Sequence, residues 1–324
     1  MLEAAEKVEI RILVDNATDM LSSNPPFVET ESAYLNRRGF KIGAAKCLCC
    51  AVHGLSCLVT AHRGDERRTV LFDTGPEDYA FERNATRLAV DLGAVESIVL
   101  SHGHWDHAGA MLLALGMIRS RNGGREVPYY AHPGMFHTRG VRQPNGTVRR
   151  MEDVPSIADL TAFGAQVINT TEPRALLDGL FYVSGEVPRV TGFERGYPGQ
   201  MRRSADGEGW EPDELLMDER WLGVNVAGKG LVVLSACSHA GIVNVLRHAR
   251  ATFPDIPIHA VMGGLHLSGA NEAIIPQTVA GLAEFGLKTI AAGHCTGWRA
   301  MTALANAFGE GVLVPTAVGK QFTF

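Results

Sequence analysis

The sequence predicts a layered α/β sandwich, in which two β-sheets face each other and helices cover their outer sides. Apolar, β-branched segments of strand length alternate with segments whose apolar residues have helical spacing. This order appears in the first half of the chain and again in the second half. Sheets and helices of this kind must bury their apolar surfaces against each other, so two such halves favour stacked layers.

The first half contains five predicted strands and two predicted helices. The strands cover residues 8–14, 52–60, 69–72, 97–100 and 128–131. A turn at Arg63-Gly64-Asp65 joins the second strand to the third, because Gly and Asp favour turns. Helical spacing of apolar residues predicts helices over 79–92, before Gly93, and over 108–118.

The second half repeats this pattern. Its predicted strands cover residues 180–183, 222–226, 231–234, 258–262 and 289–292, and its predicted helices cover 242–253, 271–285 and 297–308.

Two segments, 139–155 and 192–212, fit neither pattern, because they are rich in Arg, Gly and other polar residues. Long segments of this kind inside a compact domain often cover an active site. We therefore expect one domain over residues 1–324, in which these two segments are lids, with mobile surface loops as the alternative.

The composition indicates a globular chain and excludes several classes of partner. Hydrophobic residues make up 46% of the 324 residues, and the formal net charge is −5. An acidic balance without clustered Lys and Arg argues against nucleic-acid binding. The longest apolar run, 108–118, is too short to span a bilayer, and acids occupy the N-terminus where a secretion signal needs a basic start. We therefore expect a cytoplasmic protein without a membrane partner.

Four of the six cysteines, at positions 47, 49, 50 and 57, are crowded together. Their spacing does not match the Cys-x-x-Cys pairs of zinc knuckles, and no second pair follows. We expect Cys47, Cys49 and Cys50 to be reduced thiols that pack as small apolar side chains, and neither a thiolate metal site nor disulfides.

Metal chemistry is indicated by the segment His102-Gly103-His104-Trp105-Asp106-His107. An apolar strand ends just before it, so four possible ligands leave the sheet close together. Gly103 lets the loop turn His102 and His104 towards one point, while Asp106 and His107 face a second point nearby. Imidazole and carboxylate suit zinc, and also iron or manganese. The segment predicts a site for one or two divalent ions, with zinc in first place.

The order His102-x-His104-x-Asp106-His107 resembles the signature of the metallo-β-lactamase superfamily. This resemblance implies an αββα sandwich with two facing mixed sheets and outer helices, in agreement with the layers predicted above. Asp73, followed by Thr74 and Gly75, resembles the upstream aspartate motif of the superfamily, and would orient a ligand histidine. A simple turn is the alternative for Asp73.

A narrower resemblance extends over nearly the whole chain. Together with the histidine segment, it rests on His53-Gly54-Leu55-Ser56, Ser184-Gly185-Glu186-Val187-Pro188-Arg189, Cys237-Ser238-His239-Ala240-Gly241, Gly263-Gly264-Leu265-His266-Leu267 and Gly293-His294-Cys295-Thr296-Gly297. These segments are similar to the family related to archaeal dihydropterin–ribofuranosylaminobenzene-phosphate synthase, whose bacterial members are mostly described as metal-dependent hydrolases. The resemblance implies a metalloenzyme and leaves the reaction open.

Three later histidines each follow an apolar strand, where the resemblance implies the remaining ligands. We expect His239 and His294 to bind metal and His266 to face the substrate, where His266 or Asp106 would transfer protons. The usual bridging aspartate of the superfamily is not evident after residues 231–235. His239 or Cys237 could take its place, although an inert buried thiol also explains Cys237.

Other polar residues are candidates for orienting ligands or contacting substrate. In addition to Asp73 and Cys237, they are Asn16, His53, Asn84, His132, Glu186 and Arg189. Glu186 lies where the resemblance implies another ligand, and could either bind metal or form a salt bridge with Arg189. Arg139, Arg189 and Arg195 could receive a phosphate, and a solvated position explains each of them equally well.

Three functions follow from these observations. The first is hydrolysis of a small polar ester, phosphoester or lactone by metal-activated water. The second is a transferase that condenses a dihydropterin pyrophosphate with an aminobenzene ribofuranosyl phosphate. The third is a metal- or ligand-binding sensor without catalysis, which the complete ligand segment argues against.

Overall fold

The structure, a computed structural model, describes residues 2–39 and 49–324. Its helices are α1 (Glu31–Arg37), α2 (Asp78–Arg87), α3 (Trp105–Ala108), α4 (Met111–Arg121), α5 (Ile157–Ala162), α6 (Ile242–Thr252), α7 (Ile275–Ala283) and α8 (Trp298–Phe308). Its strands are β1 (Ala4–Ala5), β2 (Lys7–Val14), β3 (Val28–Glu29), β4 (Ser56–Arg63), β5 (Glu66–Phe72), β6 (Val95–Val99), β7 (Val127–Ala131), β8 (Arg139–Arg142), β9 (Val148–Arg150), β10 (Ala165–Asn169), β11 (Arg174–Leu176), β12 (Phe181–Val183), β13 (Gln200–Arg203), β14 (Trp210–Pro212), β15 (Trp221–Val226), β16 (Gly230–Ser235), β17 (Ile258–Gly264), β18 (Thr289–Gly293) and β19 (Gln321–Thr323).

Two large mixed sheets form the centre of the fold. The first has eight strands in the order β10-β7-β6-β5-β4-β2-β19-β3. The second has seven, in the order β11-β12-β15-β16-β17-β18 with β1 beside β15. Strands β5, β6 and β7 run parallel in the first sheet, as do β16, β17 and β18 in the second. The other central pairs include antiparallel ones, so the predicted mixed character of both sheets is confirmed.

The layers follow from strands that are apolar on both faces. Val70 of β5 and Val232 of β16 lie in one buried cluster between the sheets. Their neighbours point the other way: Leu71 packs in the layer that includes α2 and α4, and Val233 packs in the layer that includes α6 and α8. Successive side chains of a strand face opposite sides, so each sheet buries two apolar surfaces. The predicted αββα sandwich is confirmed.

Residues expected at the site leave the two sheets at one edge. Asp73 follows β5 and His102 comes shortly after β6, while His239, His266 and His294 follow β16, β17 and β18. The strands within each of these groups are parallel, so their carboxyl ends lie on the same side of the sheet. This topology gathers side chains that are far apart in the sequence.

Two predicted elements have different ends in the structure. The strand predicted over 52–60 begins only at β4, because the preceding residues form a loop against the histidine segment, where Leu55 N donates to Asp106 O at 3.4 Å. The helix predicted over 79–92 ends with α2, and Ala89 then adopts a φ of +47° that no helix continues.

Two predicted helices are divided in the structure. The helix over 108–118 starts earlier as α3, breaks at Gly109, and continues as α4. Any side chain on Gly109 would overlap with the carbonyl of Pro76, so this close approach requires glycine. The helix over 271–285 becomes a 3-10 turn followed by α7, where Pro276 occupies the first turn and needs no N–H partner.

The segments 139–155 and 192–212 contain strands, although no strand pattern is visible in their residues. Strands β14, β13, β8 and β9 pair in this order into an antiparallel sheet, here called the small sheet. Strands β8, β9 and β13 each carry two arginines and have mostly half-buried or exposed side chains. A period-2 apolar pattern is therefore missing, which is why the sequence pattern left these two segments unassigned.

The cysteines of the N-terminal region lie partly in the described residues. Cys57 is buried in the core between the sheets, and Cys49 is buried in the layer of α2 and α4. Cys47 lies outside the described residues. Within the described parts of the chain, no helix has both the length and the apolar character to cross a membrane.

Candidate metal centre

The histidine segment forms the loop after β6 and the first turns of α3. His102 and His104 precede the helix, and Asp106 and His107 lie inside it. Gly103 is required at its position, because a Cβ there would overlap with the carbonyl of Met135. The loop therefore turns within one residue, and its ligands point to neighbouring locations.

The first donor set consists of His102, His104 and His239. The Nε2 atom of His102 lies 3.1 Å from Nδ1 of His104 and 3.2 Å from Nε2 of His239. All three residues are buried. Three imidazole nitrogens thus converge on one point between the ends of β6 and β16.

The second donor set consists of Asp106, His107 and His294. The Oδ2 atom of Asp106 lies 3.5 Å from Nε2 of His107 and 3.4 Å from Nε2 of His294. The same carboxylate oxygen lies 3.5 Å from Nε2 of His53, which is mostly exposed. The candidate ligands of the segment therefore face two adjacent points.

The spacing within the first donor set fits a metal ion. Nitrogen ligands of a tetrahedral zinc ion, each at about 2.0–2.1 Å from the metal, lie roughly 3.3 Å from one another. The 3.1 and 3.2 Å separations around His102 Nε2 are close to this value. The Nδ1 atom of His102 faces Ser101, so Nε2 is the nitrogen whose lone pair is left for a cation. These residues suit a divalent transition metal.

Cys237 lies between the two donor sets. Its Sγ atom is 3.3 Å from Nε2 of His107 and 3.2 Å from Nε2 of His294. It also lies within 4.8 Å of ligand atoms of His102 and His239. A third group within this limit consists of Cys237, His266 and Cys295.

Asp73 contacts His107 of the second donor set directly and His102 of the first through Ser101. Its Oδ2 accepts from Nδ1 of His107 at 2.7 Å and from Oγ of Ser101 at 2.7 Å. Ser101 Oγ can in turn accept from Nδ1 of His102, 2.9 Å away. Each imidazole then carries its proton on Nδ1 and presents the Nε2 lone pair to the site.

Asn16 contacts the Nδ1 atom of His294, as Asp73 contacts that of His107. Its Oδ1 lies 3.0 Å from Nδ1 of His294, and its Nδ2 lies 3.0 Å from Nδ1 of His53. The backbone N–H of His294 donates to Oδ1 of Asp15 at 3.0 Å. A polar residue at the end of β2 thus fixes an imidazole that follows β18 at the other end of the chain.

Gln200 is a site residue that the sequence did not indicate. It is buried on β13 of the small sheet, and its Nε2 lies 3.0 Å from Nε2 of His104. Its Oε1 is buried and has no partner among the described residues. Turning the amide over would exchange these atoms and let Oε1 accept the Nε2–H of His104. Nδ1 of His104 would then be free for a cation.

The electrostatics of the two donor sets differ. Burial lowers the pKa of His104 to about 3 and holds the pKa of His102 and of His239 well below the usual range. Burial alone would also lower the pKa of His107, but the carboxylates of Asp106 and Asp73 raise it well above the usual value. Burial would raise the pKa of Asp106, and the nearby imidazoles hold it well below the usual value. Before a cation binds, the first set is therefore neutral, and His107 and Asp106 of the second set form a charged pair; a cation would displace the Nε2 proton of His107.

Arg139 and Asp218 fix the histidine loop from the small sheet. Arg139 donates to both carboxylate oxygens of Asp218, at 3.0 and 2.5 Å, and to the carbonyl of Gly103 at 3.2 Å. Asp218 accepts from the N–H of Gly103 at 2.8 Å. Arg139 also donates to Asp213 at 2.8 Å. Because its guanidinium is buried between these carboxylates, Arg139 is not available to a phosphate, contrary to one expectation from the sequence.

The other candidate residues occupy different positions. Glu186 lies 3.2 Å from Nε2 of His132 and joins none of the donor groups that the described residues form. The guanidinium of Arg189 donates to the carbonyls of Leu215 and Leu216, and not to Glu186. Both residues support loops beside the site.

Asn84 is buried beneath the site loops. It donates to the carbonyls of Leu13 and Cys50 at 2.8 and 2.9 Å, and its Oδ1 accepts from Cys50 N. Its side chain is therefore occupied in joining chain segments and is not part of the cavity wall.

A cavity of about 780 Å³ opens in front of the donor sets. Asp106, His239 and His266 line its floor, and the rings of Trp105 and Tyr197 contribute to its wall. The ring centroid of His266 lies 4.3 Å from that of His239 and 5.0 Å from that of Tyr197. A cavity of this size suits a small molecule.

Four side chains at the site stand on backbone with positive φ. The angles are +58° at Asp73, +59° at Ser238, +44° at His266 and +47° at His294. This left-handed region favours glycine and is disfavoured for residues with a Cβ. Such strain is typical of functional sites, where surrounding contacts hold it in place.

Comparisons with known proteins agree with the fold and with the histidine segment. A relative from Methanocaldococcus jannaschii, named 7,8-dihydropterin-6-methyl-4-(beta-D-ribofuranosyl)-aminobenzene-5'-phosphate synthase, is 28% identical over 260 residues, which are 80% of this chain and 85% of the relative. A crystal structure described as a metal-dependent hydrolase of the beta-lactamase superfamily has a TM-score of 0.70 at 23% identity, and covers 97% of this chain and 98% of that one.

A second solved structure, described as a new diphosphatase from the PhnP family, has a TM-score of 0.52 at 13% identity and covers 98% of this chain and 97% of that one. The family model of the metallo-beta-lactamase superfamily matches residues 53–246, which is more than half of the chain and includes His102 to His107. With its αββα layers and its two donor sets at the carboxyl ends of the parallel strands, this chain belongs to the metallo-beta-lactamase superfamily.

Proposed function

We propose that this chain is a metal-dependent hydrolase, which cleaves a small polar ester, phosphoester or lactone with water. The observation that carries this proposal is the pair of adjacent donor sets beside a cavity large enough for a small molecule. The first donor set would hold one divalent ion and the second donor set another, with zinc in first place and iron or manganese as alternatives. Bound there, such an ion lowers the pKa of water to about 7 and polarises an oxygen atom of the substrate.

The chain's own residues orient the ligands and move protons. Asp73 and Asn16 fix imidazoles of the second donor set through their Nδ1 atoms. His266 lines the cavity beside the first donor set, and we assign it the transfer of a proton to the leaving group. Asp106 faces the same cavity and shares its carboxylate oxygen with three imidazoles, so it is the alternative proton carrier.

The small sheet would cover the cavity. Tyr197, just before β13, and Met151, just after β9, both line it. Gln200 joins this sheet to His104, and Arg139 joins it to the histidine loop. A cover that is attached to the ligands can exclude water from the substrate while the reaction proceeds.

Metal content provides the first test. Protein that is purified without chelators is expected to contain zinc, iron or manganese close to one or two ions per chain. His104→Ala is expected to lose most of this metal, whereas His259→Ala, at the start of β17 and outside both donor sets, is expected to keep it. Wild-type protein that stays free of metal after reconstitution would contradict the proposal.

A transfer reaction is the second candidate, and one observation favours it. The archaeal relative that is 28% identical over 80% of this chain is named as a synthase. In that case the site would help a pyrophosphate group to leave, and the acceptor would be an aminobenzene instead of water.

Isotopic labelling separates the two candidates. Hydrolysis of a panel of phosphoesters, carboxylic esters and lactones in water enriched in heavy oxygen is expected to place the label in one product. Incubation of a dihydropterin pyrophosphate with an aminobenzene ribofuranosyl phosphate would instead give a condensed product without label. Formation of only the condensed product would replace the hydrolase proposal by the transferase.

A further inference from the structure

We propose that Arg149 of the small sheet binds an anionic group, a carboxylate or a phosphate, on the part of the substrate that does not react. This inference rests on the proposed function and deepens it, because it places a negative charge on the substrate of the same cavity. Two arginines for which the sequence allowed such a role are occupied elsewhere: Arg139 by two carboxylates and Arg189 by backbone carbonyls.

The pairing of the small sheet places Arg149 on the face that looks towards the candidate metal centre. Val141 of β8 lies opposite Gln200 of β13 on one side and opposite Arg149 of β9 on the other. Residues directly opposite each other in an antiparallel pair have their side chains on the same face of the sheet. Gln200 contacts His104 from this face, so the side chain of Arg149 also leaves the sheet on the side of the site.

Met151 supports this orientation independently. It comes two residues after Arg149, and its N–H donates to Arg139 O at 2.9 Å, so the pairing of β9 with β8 continues to this residue. Side chains two positions apart in a strand share a face, and Met151 lines the cavity. Arg149 therefore stands on the cavity side of the small sheet, just beyond the wall that Met151 forms.

The charge of Arg149 acts on the cavity wall. Burial raises the pKa of the Tyr197 hydroxyl, and the Asp106 carboxylate adds to this rise, whereas the positive charge of Arg149 opposes it. The ring of Tyr197 lines the cavity, and its centroid lies 5.6 Å from that of His239 in the first donor set. A bound molecule in contact with Tyr197 is therefore within the influence of the guanidinium.

Arg149 is available to a ligand. Of the three arginines on this face of the small sheet, Arg139 pairs with Asp218 at 2.5 Å and Arg202 pairs with Glu211 at 2.7 Å. None of the ion pairs among the described residues includes Arg149, and its side chain is exposed. A guanidinium offers two parallel N–H donors that match a carboxylate or a phosphate, so an unpaired one beside a cavity suits such a group.

The spacing of the strands sets the length of a suitable ligand. Neighbouring strands lie about 4.8 Å apart, so the backbone of Arg149 lies about 10 Å from that of Gln200, two strands away. The long side chain of arginine spans part of this distance. A substrate that carries its anion several bonds away from the reacting group can therefore contact the donor sets and Arg149 together.

Calorimetric titration of the metal-reconstituted protein tests the inference. The probes are glutarate, adipate, pimelate and suberate, each compared with the unbranched monocarboxylate that has the same number of carbon atoms. One carboxylate of every probe can bind a metal ion, and only the dicarboxylates have a second one for Arg149. We expect at least one dicarboxylate to bind wild-type protein about 3–10-fold more tightly than its monocarboxylate. Titration with 4-phosphonobutyrate beside glutarate shows which of the two anions Arg149 prefers.

Variants assign this preference to one residue. Arg149→Met keeps the apolar stem and is expected to lose the preference without a change in monocarboxylate binding, whereas Arg149→Lys is expected to keep part of it. Arg150→Met, at the next position of β9 and on the opposite face, is expected to keep all of it. Arg195→Met, at a second exposed arginine near His266, is also expected to keep it.

Each contrary outcome has a separate meaning. A preference that persists in Arg149→Met, or that disappears in Arg195→Met, overturns the inference and leaves the proposed function intact. A metal-loaded wild-type protein that prefers none of the dicarboxylates also overturns it. A wild-type protein that binds no metal overturns the proposed function together with this inference.

Discussion

The buried ion pair between Arg139 and Asp218 allows a quantitative prediction. The two side chains are 2% and 1% exposed, and they join the small sheet to the loop of Gly103. Arg139→Met keeps much of the shape of the side chain but leaves the Asp218 carboxylate buried, with the Gly103 N–H as its remaining donor. Removing one partner of a buried pair leaves an uncompensated charge, so we expect the free energy of unfolding to fall by about 3–5 kcal/mol.

The pH dependence of this loss follows from the pKa of Asp218. Burial raises that pKa, but the Arg139 guanidinium outweighs burial and lowers it to about 2, from an ordinary 3.8. The folded pKa is depressed, so the stabilisation is complete above the ordinary pKa and is lost as the pH falls towards about 2; it corresponds to about 2 kcal/mol at neutral pH. Without Arg139, burial raises the pKa of Asp218, so the difference between variant and wild type should grow from acidic to neutral pH.

Urea denaturation of the metal-free proteins, followed by tryptophan fluorescence, measures these differences. Arg142→Met is the matched control, since Arg142 lies on the same strand with an exposed side chain, and we expect its effect to stay within about 0.5 kcal/mol. The double variant Arg139→Met with Asp218→Asn is expected to recover at least about 1 kcal/mol, because the neutral amide can still accept from Gly103.

Two results would refute this reasoning. If Arg139→Met lowers the free energy of unfolding by less than about 1 kcal/mol, the pair behaves like an exposed salt bridge. If the double variant recovers nothing, the loss does not come from an uncompensated carboxylate at Asp218.

Three further predictions concern the metal centre. Asp73→Asn replaces one acceptor oxygen by an amino group, so metal affinity in a chelator competition should fall by about 10–100-fold; unchanged affinity would mean that Asp73 does not orient the imidazoles. Gln200→Leu should weaken metal binding within the same range while Gln200→Glu retains most of it, and equal losses in both would point to packing instead of the contact with His104. His294→Ala should lose metal and activity together, whereas His266→Ala should keep its metal and lose about 10²–10⁴-fold in turnover; the opposite pattern would make His266 the ligand.

Much of the candidate metal centre could be predicted because its donor residues follow regular strands. His102, His104, Asp106 and His107 are close in sequence, so one motif includes them all. The later histidines each follow a strand, and parallel strands end at a common edge. Local pattern and strand topology therefore carry most of the information on the two donor sets.

Other contacts depend on long-range packing that no local pattern records. Gln200 is 96 residues away from its partner His104, and Asp218 is 115 residues away from Gly103. Both lie in or after a segment without apolar periodicity, where sequence patterns predict neither strands nor a buried polar role. For Glu186 a local motif was misleading. Its place in the motif suggested that it binds metal or forms a salt bridge with Arg189, but the fold places it beside His132.

The left-handed backbone at Asp73, Ser238, His266 and His294 implies a trade-off between folding stability and the proposed activity. A glycine would relieve about 1 kcal/mol of conformational strain at each position. Random variants selected only for thermal stability should therefore accumulate glycine at these positions. Such variants would be more stable but would lose the side chains of the candidate site. Engineering for thermal tolerance therefore has to leave these four residues unchanged, and their retention in a homologue would indicate that the proposed activity is still under selection.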